Sequence, residues 1–158
     1  MTFYSADPVR FYGVSHVTDT LSSKHPEVGA RMSVGDEDYI WVYNTGADAQ
    51  IPPGYGAVLS GVTGYSVTVS STSSADFLVG VCKHATITTG AYGWLVTKGF
   101  APVEMGADYS AAAGSLLELS DDGTFDIVSN TTGNVGACGK AMEAIASGAS
   151  GSAFIKCI

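Results

Sequence analysis

Residues 80–100 carry the strongest pattern in the sequence, two apolar segments joined by a linker that contains glycine. Val81 in the first segment, and Trp94 and Val96 in the second, are residue types that favour a pleated, half-buried strand. The glycines between them supply the backbone freedom that a tight connection needs. We therefore predict two strands here, the second lying back antiparallel on the first.

The same combination of a glycine turn and an apolar segment occurs at residues 52–59 and 112–119. The spacing is too irregular for a solenoid and is typical of strands that enter one sheet through similar corners. The Asp-Gly pair at 122–123, between apolar segments, is a further hairpin signal. We predict an all-β fold, a small antiparallel β-barrel or sandwich. Its expected core contains large apolar residues of these strands, namely Trp41, Val81, Trp94, Val96, Phe125 and Phe154.

The chain divides into an N-terminal arm, residues 1–35, and a β-barrel domain, residues 36–158. The arm lacks sustained strand or helix periodicity. It nevertheless contains aromatic residues, which disordered tails normally lack, and burying one such ring removes about 150–250 Å² from water. We expect the arm to order by laying its rings on the barrel or on a neighbouring subunit; the alternative is a first strand or two of the same domain. The four rings are Phe3, Tyr4, Phe11 and Tyr12.

Composition restricts the possible partners. Of the 158 residues 46% are hydrophobic and only 14% are charged, so part of the apolar surface is expected to be hidden in an oligomer or a larger assembly. Seven scattered basic residues and a net charge of -8 argue against nucleic-acid binding. The acidity fits solubility and docking on a basic surface equally well. Without a signal peptide or an apolar segment of about 18 residues, we predict cytoplasmic synthesis and no membrane association.

No catalytic motif is present in the sequence, and we predict neither enzymatic activity nor a cofactor. Cys82, Cys138 and Cys157 are too far apart for a disulfide framework and are expected to be reduced, buried apolar residues. Cys82 and His84 are the only close thiol–imidazole pair, and a place in the core is the commoner use of both. Residues 134–141 differ from a phosphate-binding loop at its first glycine and at its Ser/Thr position.

No metal site is predicted. Asp121, Asp122 and Asp126 are able to attract Ca²⁺, but their glycine comes too early for an EF-hand loop and no Glu stands at its twelfth position. A plain hairpin turn is the favoured interpretation. The three histidines are too dispersed to form a ligand set.

From Phe77 to the C-terminus the order of elements resembles that of a known protein family. The residues that carry the resemblance are 79–81, 87–99, 112–116, 135–136, 141–144 and 155–158. They are similar to the strands and turns of the small β-rich decoration, or cement, proteins of tailed-bacteriophage capsids. These are fold motifs rather than catalytic motifs.

The resemblance implies a structural protein on the outside of the capsid, in the virion, after synthesis in the host cytoplasm. Such a protein clamps neighbouring subunits of the major capsid protein and often binds itself as a homotrimer. The arm is longer and more aromatic than the usual lead-in, which suggests contact with the capsid or a neighbouring copy. The alternative hypothesis is a carbohydrate- or receptor-binding module with Tyr65, Tyr92 and Tyr109 as stacking platforms.

Overall fold

The structure, a computed structural model, describes residues 20–21, 27–46, 50–60, 64–69, 78–128 and 137–157. Within these ranges the regular elements are eleven β-strands and one short 3₁₀ turn at Asp121–Gly123, so the all-β prediction is confirmed. The strands are β1 (Thr20–Leu21), β2 (Arg31–Val34), β3 (Glu37–Asn44), β4 (Gly56–Leu59), β5 (Ser66–Val69), β6 (Leu78–Cys82), β7 (Tyr92–Glu104), β8 (Leu116–Leu119), β9 (Phe125–Ile127), β10 (Gly139–Ala141) and β11 (Ser150–Lys156).

Strand β7 is the centre of the sheet. It is 13 residues long and pairs with β1, β3, β6 and β11. The predicted hairpin within residues 80–100 is confirmed, because β6 and β7 pair antiparallel with Val81 opposite Val96. Both faces of β7 are buried over its first half, Leu95 in one apolar cluster and Trp94 and Val96 in another.

Five strands form a closed ring in the order β3, β5, β4, β6 and β7, which pairs again with β3. The sequence predicted an antiparallel sheet. One pairing in the ring differs, because β3 and β5 run parallel to each other. One apolar cluster draws its residues from all five strands and from two positions beside them. Its members are Ile40, Val42, Ile51, Ala57, Val67, Val79, Cys82, Ile87 and Leu95.

The remaining strands extend the sheet beyond the ring, in the order β7, β11, β10, β8 and β9. Their inner face packs with the other side of β3, β6 and β7 to form the second cluster. Five of the six predicted core residues are buried at 5% exposure or less, namely Trp41, Val81, Trp94, Val96 and Phe125. Phe154 is not in the core. Ala153 and Ile155 point inward at 0% exposure, and side chains alternate along a strand, so Phe154 lies on the outer face.

Turns of one type lead into five of the described strands. In each turn the N–H of the fourth residue donates to the carbonyl of the first at 3.0–3.2 Å. The third residue is a glycine with φ between 63° and 92°, the conformation that a type II turn requires there. These corner turns are residues 27–30, 52–55, 88–91, 112–115 and 146–149, and a strand begins at the next residue each time.

Four of the corner turns are joined in pairs by the residue that precedes each of them. Ile51 and Ile87 exchange two backbone hydrogen bonds of 3.0 Å, and Ala111 and Ile145 exchange two of 2.8 and 2.9 Å. One bridged pair leads into the ring at β4 and β7, and the other into the outer strands β8 and β11. The recurrent glycine pattern of the sequence therefore corresponds to a recurrent corner that builds both halves of the sheet.

Parts of the predicted arm belong to the same sheet. Arg31–Val34, as β2, pairs antiparallel with β3, and Thr20–Leu21, as β1, pairs with the start of β7. The sheet thus begins before the boundary predicted at residue 35. For these two segments the structure matches the alternative of first strands in the same domain.

Candidate functional site

The thiols lie in environments that suppress their reactivity. Burial raises the pKa of Cys82 to about 12, and its Sγ donates to the carbonyl of Ala85 at 3.2 Å. Burial also raises the pKa of Cys138 to about 12 and raises that of Cys157. His84 lies in an exposed position, with Nε2 at 3.2 Å from the hydroxyl of Tyr39. The thiolate, which is the nucleophilic form, is scarce at neutral pH in such sites.

A polar cluster joins the start of β3 to the loop after β6. The carboxylate of Glu37 accepts hydrogen bonds from Lys83 and from the hydroxyl of Tyr39. Burial opposes ionisation of Glu37, but these hydrogen bonds, with the positive charges of Lys83 and His84, hold its pKa below the usual value. Lys83 Nζ also donates to the carbonyl of Phe100 at 2.9 Å. The cluster thus fastens the loop to two strands.

An acidic pair lies on the hairpin of β8 and β9. Glu118 on β8 stands directly opposite Asp126 on β9, and the predicted hairpin turn at Asp-Gly is confirmed by this pairing. Burial raises the pKa of both carboxyls, and for Glu118 the charge of Asp126 raises it further. Among the described residues no group of three or more His, Cys, Asp or Glu side chains is close enough to hold a metal ion.

A row of side chains crosses the outer face of the sheet. Leu116, Lys140, Phe154 and Phe100 stand directly opposite one another on β8, β10, β11 and β7; we call them the outer row. The two phenylalanine rings meet edge to face, with centroids 5.4 Å apart, and Phe100 is 46% exposed. A shallow groove adjoins the row and shares Lys140 and Phe154 with it. Its other lining residues are Ala113, Gly114, Ala141 and Met142. Aromatic groups exposed in this way are typical of an interaction surface.

Sequence patterns did not reveal the outer row, because Phe154 was assigned to the core. The available signal was the alternation with Lys156: a charged residue there favours the outer face, Phe154 two residues earlier shares that face, and Ala153 and Ile155 take the inner one. The row became visible only with the register of four strands, which brings together residues up to 54 positions apart, from Phe100 to Phe154.

The three tyrosines considered as stacking platforms lie in different surroundings. Tyr92 packs against Tyr43, with ring centroids 4.6 Å apart, and a ring carbon of Tyr65 lies 2.6 Å from the position where a side chain at Gly29 would begin. Tyr109, which follows β7 in the chain, is 40% exposed and contacts the carboxyl of Asp126 on β9. This placement does not favour a sugar-binding platform made of the three rings.

The aromatic residues predicted to contact a capsid or a neighbour, Phe3, Tyr4, Phe11 and Tyr12, lie outside the described residues. The described strand nearest to them in sequence, β1, is paired with the start of β7. In the described ranges, none of the helical structure is long and apolar enough to span a membrane.

No protein-family model matches the sequence, and no curated protein matches it either. Among solved structures, the chain is similar to the N base of head fiber gp8.5 of bacteriophage phi29, with a TM-score of 0.54 and 13% sequence identity. The two chains share a fold. The match covers 75% of this chain and 92% of the head fiber base, so nearly the whole of that domain has a counterpart here.

Proposed function

We propose that this chain is a structural virion protein that binds the outside of a phage capsid and stabilises the shell by clamping neighbouring major capsid subunits. The main support is the fold shared with a head fiber base over 92% of that chain. The resemblance of the strand-and-turn order to capsid decoration proteins points in the same direction and rests on the sequence alone.

The surface of the molecule supports a role in an assembly. Only 14% of the residues are charged, and large apolar side chains are exposed, among them Phe100 on β7, Leu116 on β8 and Met142 directly after β10. A protein that binds the assembled shell and not its separated subunits stabilises the shell by mass action. We include in this proposal that the chain is not an enzyme, which the raised pKa of its thiols supports.

The proposed contact with the shell is made by the segment that precedes β1. The strand that follows this segment, β1, pairs with the start of β7, with Thr20 opposite Gly93. Nineteen residues in extended conformation reach at most about 65 Å, which is far enough to cross from one capsid subunit to the next. Its four rings, Phe3, Tyr4, Phe11 and Tyr12, would bind apolar positions of the shell.

The test is a heat-release assay on capsids of the same phage with the decoration removed. We expect added protein to bind and to raise the temperature at which the shell ruptures and DNA is released. A variant with its four arm rings changed to serine should lose both effects, while Tyr109→Ser, which removes an exposed ring elsewhere, should retain them. Binding without any change in rupture temperature would contradict clamping, and absence of binding would contradict the capsid role.

A further inference from the structure

The outer face of the sheet carries charges of opposite sign at its two ends. Two residues along the strands from the outer row, and so on the same face, Lys156 and Lys98 are opposite each other on β11 and β7. On the other side of the same face, Glu118 is opposite Asp126 on β8 and β9. Strands lie about 4.8 Å apart, so Glu118 and Lys98 are separated by three strand spacings, or about 14 Å.

The lysine end of this face is available to a partner. Lys98 Nζ lies 4.0 Å from the carboxylate of Asp38, and 55% of the Lys98 side chain remains exposed. Lys140 and Lys156 are also exposed. At the acidic end Glu118 and Asp126 stand directly opposite each other, and like charges in that position on neighbouring strands are destabilising. Each end would gain from a partner charge of opposite sign.

We propose that this face binds the same face of a second copy of the chain, with a two-fold axis parallel to the strands between β10 and β11. Such an axis reverses the order of the four strands, so that β8 of one copy lies over β7 of the other and β10 lies over β11. A two-fold interface must be complementary to itself. The order of residues across these strands meets that requirement.

Reversing the outer row places Leu116 of each copy over Phe100 of the other, which buries the two apolar ends. It also places Lys140 over the ring of Phe154, a cation–π arrangement. In the neighbouring row it brings Glu118 of each copy over Lys98 of the other, so that the acidic end of the face meets the lysine end twice.

The contact is small. Four strands about 4.8 Å apart and some five residues long span a few hundred Å² per copy, below the roughly 800 Å² per partner of a standard stable interface. We therefore expect a weak dimer that forms at high protein concentration and at low salt, where exposed charges are least screened. The dimer does not depend on the proposed capsid role, because it is measured without capsids.

The experiment is sedimentation equilibrium of the full chain from about 10 µM to 1 mM in low salt, with charge-reversed variants. The wild-type mass should rise from 16.2 kDa towards twice that value. Lys98→Glu and Glu118→Lys should each weaken association at least about tenfold, since both cross-contacts become repulsive. A one-to-one mixture should restore it, because every contact between the two variants is again between opposite charges.

Matched controls carry the same charge changes away from this face, Arg31→Glu on β2 and Asp108→Lys in an exposed turn, and should associate like the wild type. Circular dichroism and the unfolding midpoint of each variant show that it is folded. The proposal is overturned if the wild-type chain stays at 16.2 kDa at every concentration. The face would then be left for a shell subunit or for the chain's own first residues. A mass three times that of the chain, or a mixture that remains monomeric, also overturns the proposal.

Discussion

Replacing Phe125 by alanine, with Phe154→Ala as its matched partner, tests which face of the outer strands forms the core. Phe125 is fully buried in the second apolar cluster, whereas Phe154 lies on the outer face against Phe100. Truncating a fully buried Phe to Ala costs about 3–5 kcal/mol of unfolding free energy. In a chain of this size each kcal/mol of lost stability lowers Tm by about 2–4 °C, so Tm should fall by roughly 6–20 °C.

Phe154→Ala should cost much less, about 1–2 kcal/mol, since it loses an edge-to-face contact and partial burial but leaves no enclosed cavity. Urea unfolding followed by tryptophan fluorescence measures both, because Trp41 and Trp94 are buried at 0% and 5% exposure. An unchanged slope of the unfolding free energy against urea concentration would show that the variants unfold in the same way as the wild type. Equal losses for the two variants, or a larger loss for Phe154→Ala, would refute the assignment of faces.

Three further predictions concern single groups. The pKa of Glu37 is lowered in the fold, so ionised Glu37 stabilises the protein above pH 4.5, the usual pKa of the group, and this stabilisation is lost as the pH falls through the folded pKa. In Glu37→Gln, the urea concentration at the unfolding midpoint should therefore fall less steeply between pH 7 and pH 3 than in the wild type. Gly90→Ala should cost about 1–2 kcal/mol in the same urea assay, since φ is 76° while the added methyl meets no atom within 4 Å. Cys82 and Cys138 should react with iodoacetamide at pH 8 only after unfolding, because burial raises each pKa to about 12; rapid labelling of the folded chain, followed by mass spectrometry, would contradict this.

The parts of the fold that were predicted from the sequence are those with local signals. The hairpin of β6 and β7 and the Asp-Gly hairpin of β8 and β9 follow from alternating apolar residues with turn residues between them. The corner turns at 52–55, 88–91 and 112–115 were visible as glycines before apolar strands. The corner turn at 27–30 was missed, because the strand that follows it begins with a polar residue, Arg31.

Non-local pairing was not predictable in the same way. Strand β5 lies in a Ser/Thr-rich stretch from which no core strand was predicted, yet Val67 is fully buried and β5 pairs with both β3 and β4. The parallel contact between β3 and β5 depends on closure of the ring, which no local pattern encodes. The outer row likewise required the register of four strands, so the candidate interaction surface could not be derived from sequence periodicity.

On the function proposed above, this chain binds the outside of a capsid and bridges its subunits. The most direct measurement is an electron cryomicroscopy map of capsids incubated with the protein, compared with a map of bare capsids. We predict added density on the outer surface that contacts at least two neighbouring major capsid subunits and accommodates the closed ring and the outer strands. No added density, or density confined to a single subunit, would contradict the proposal.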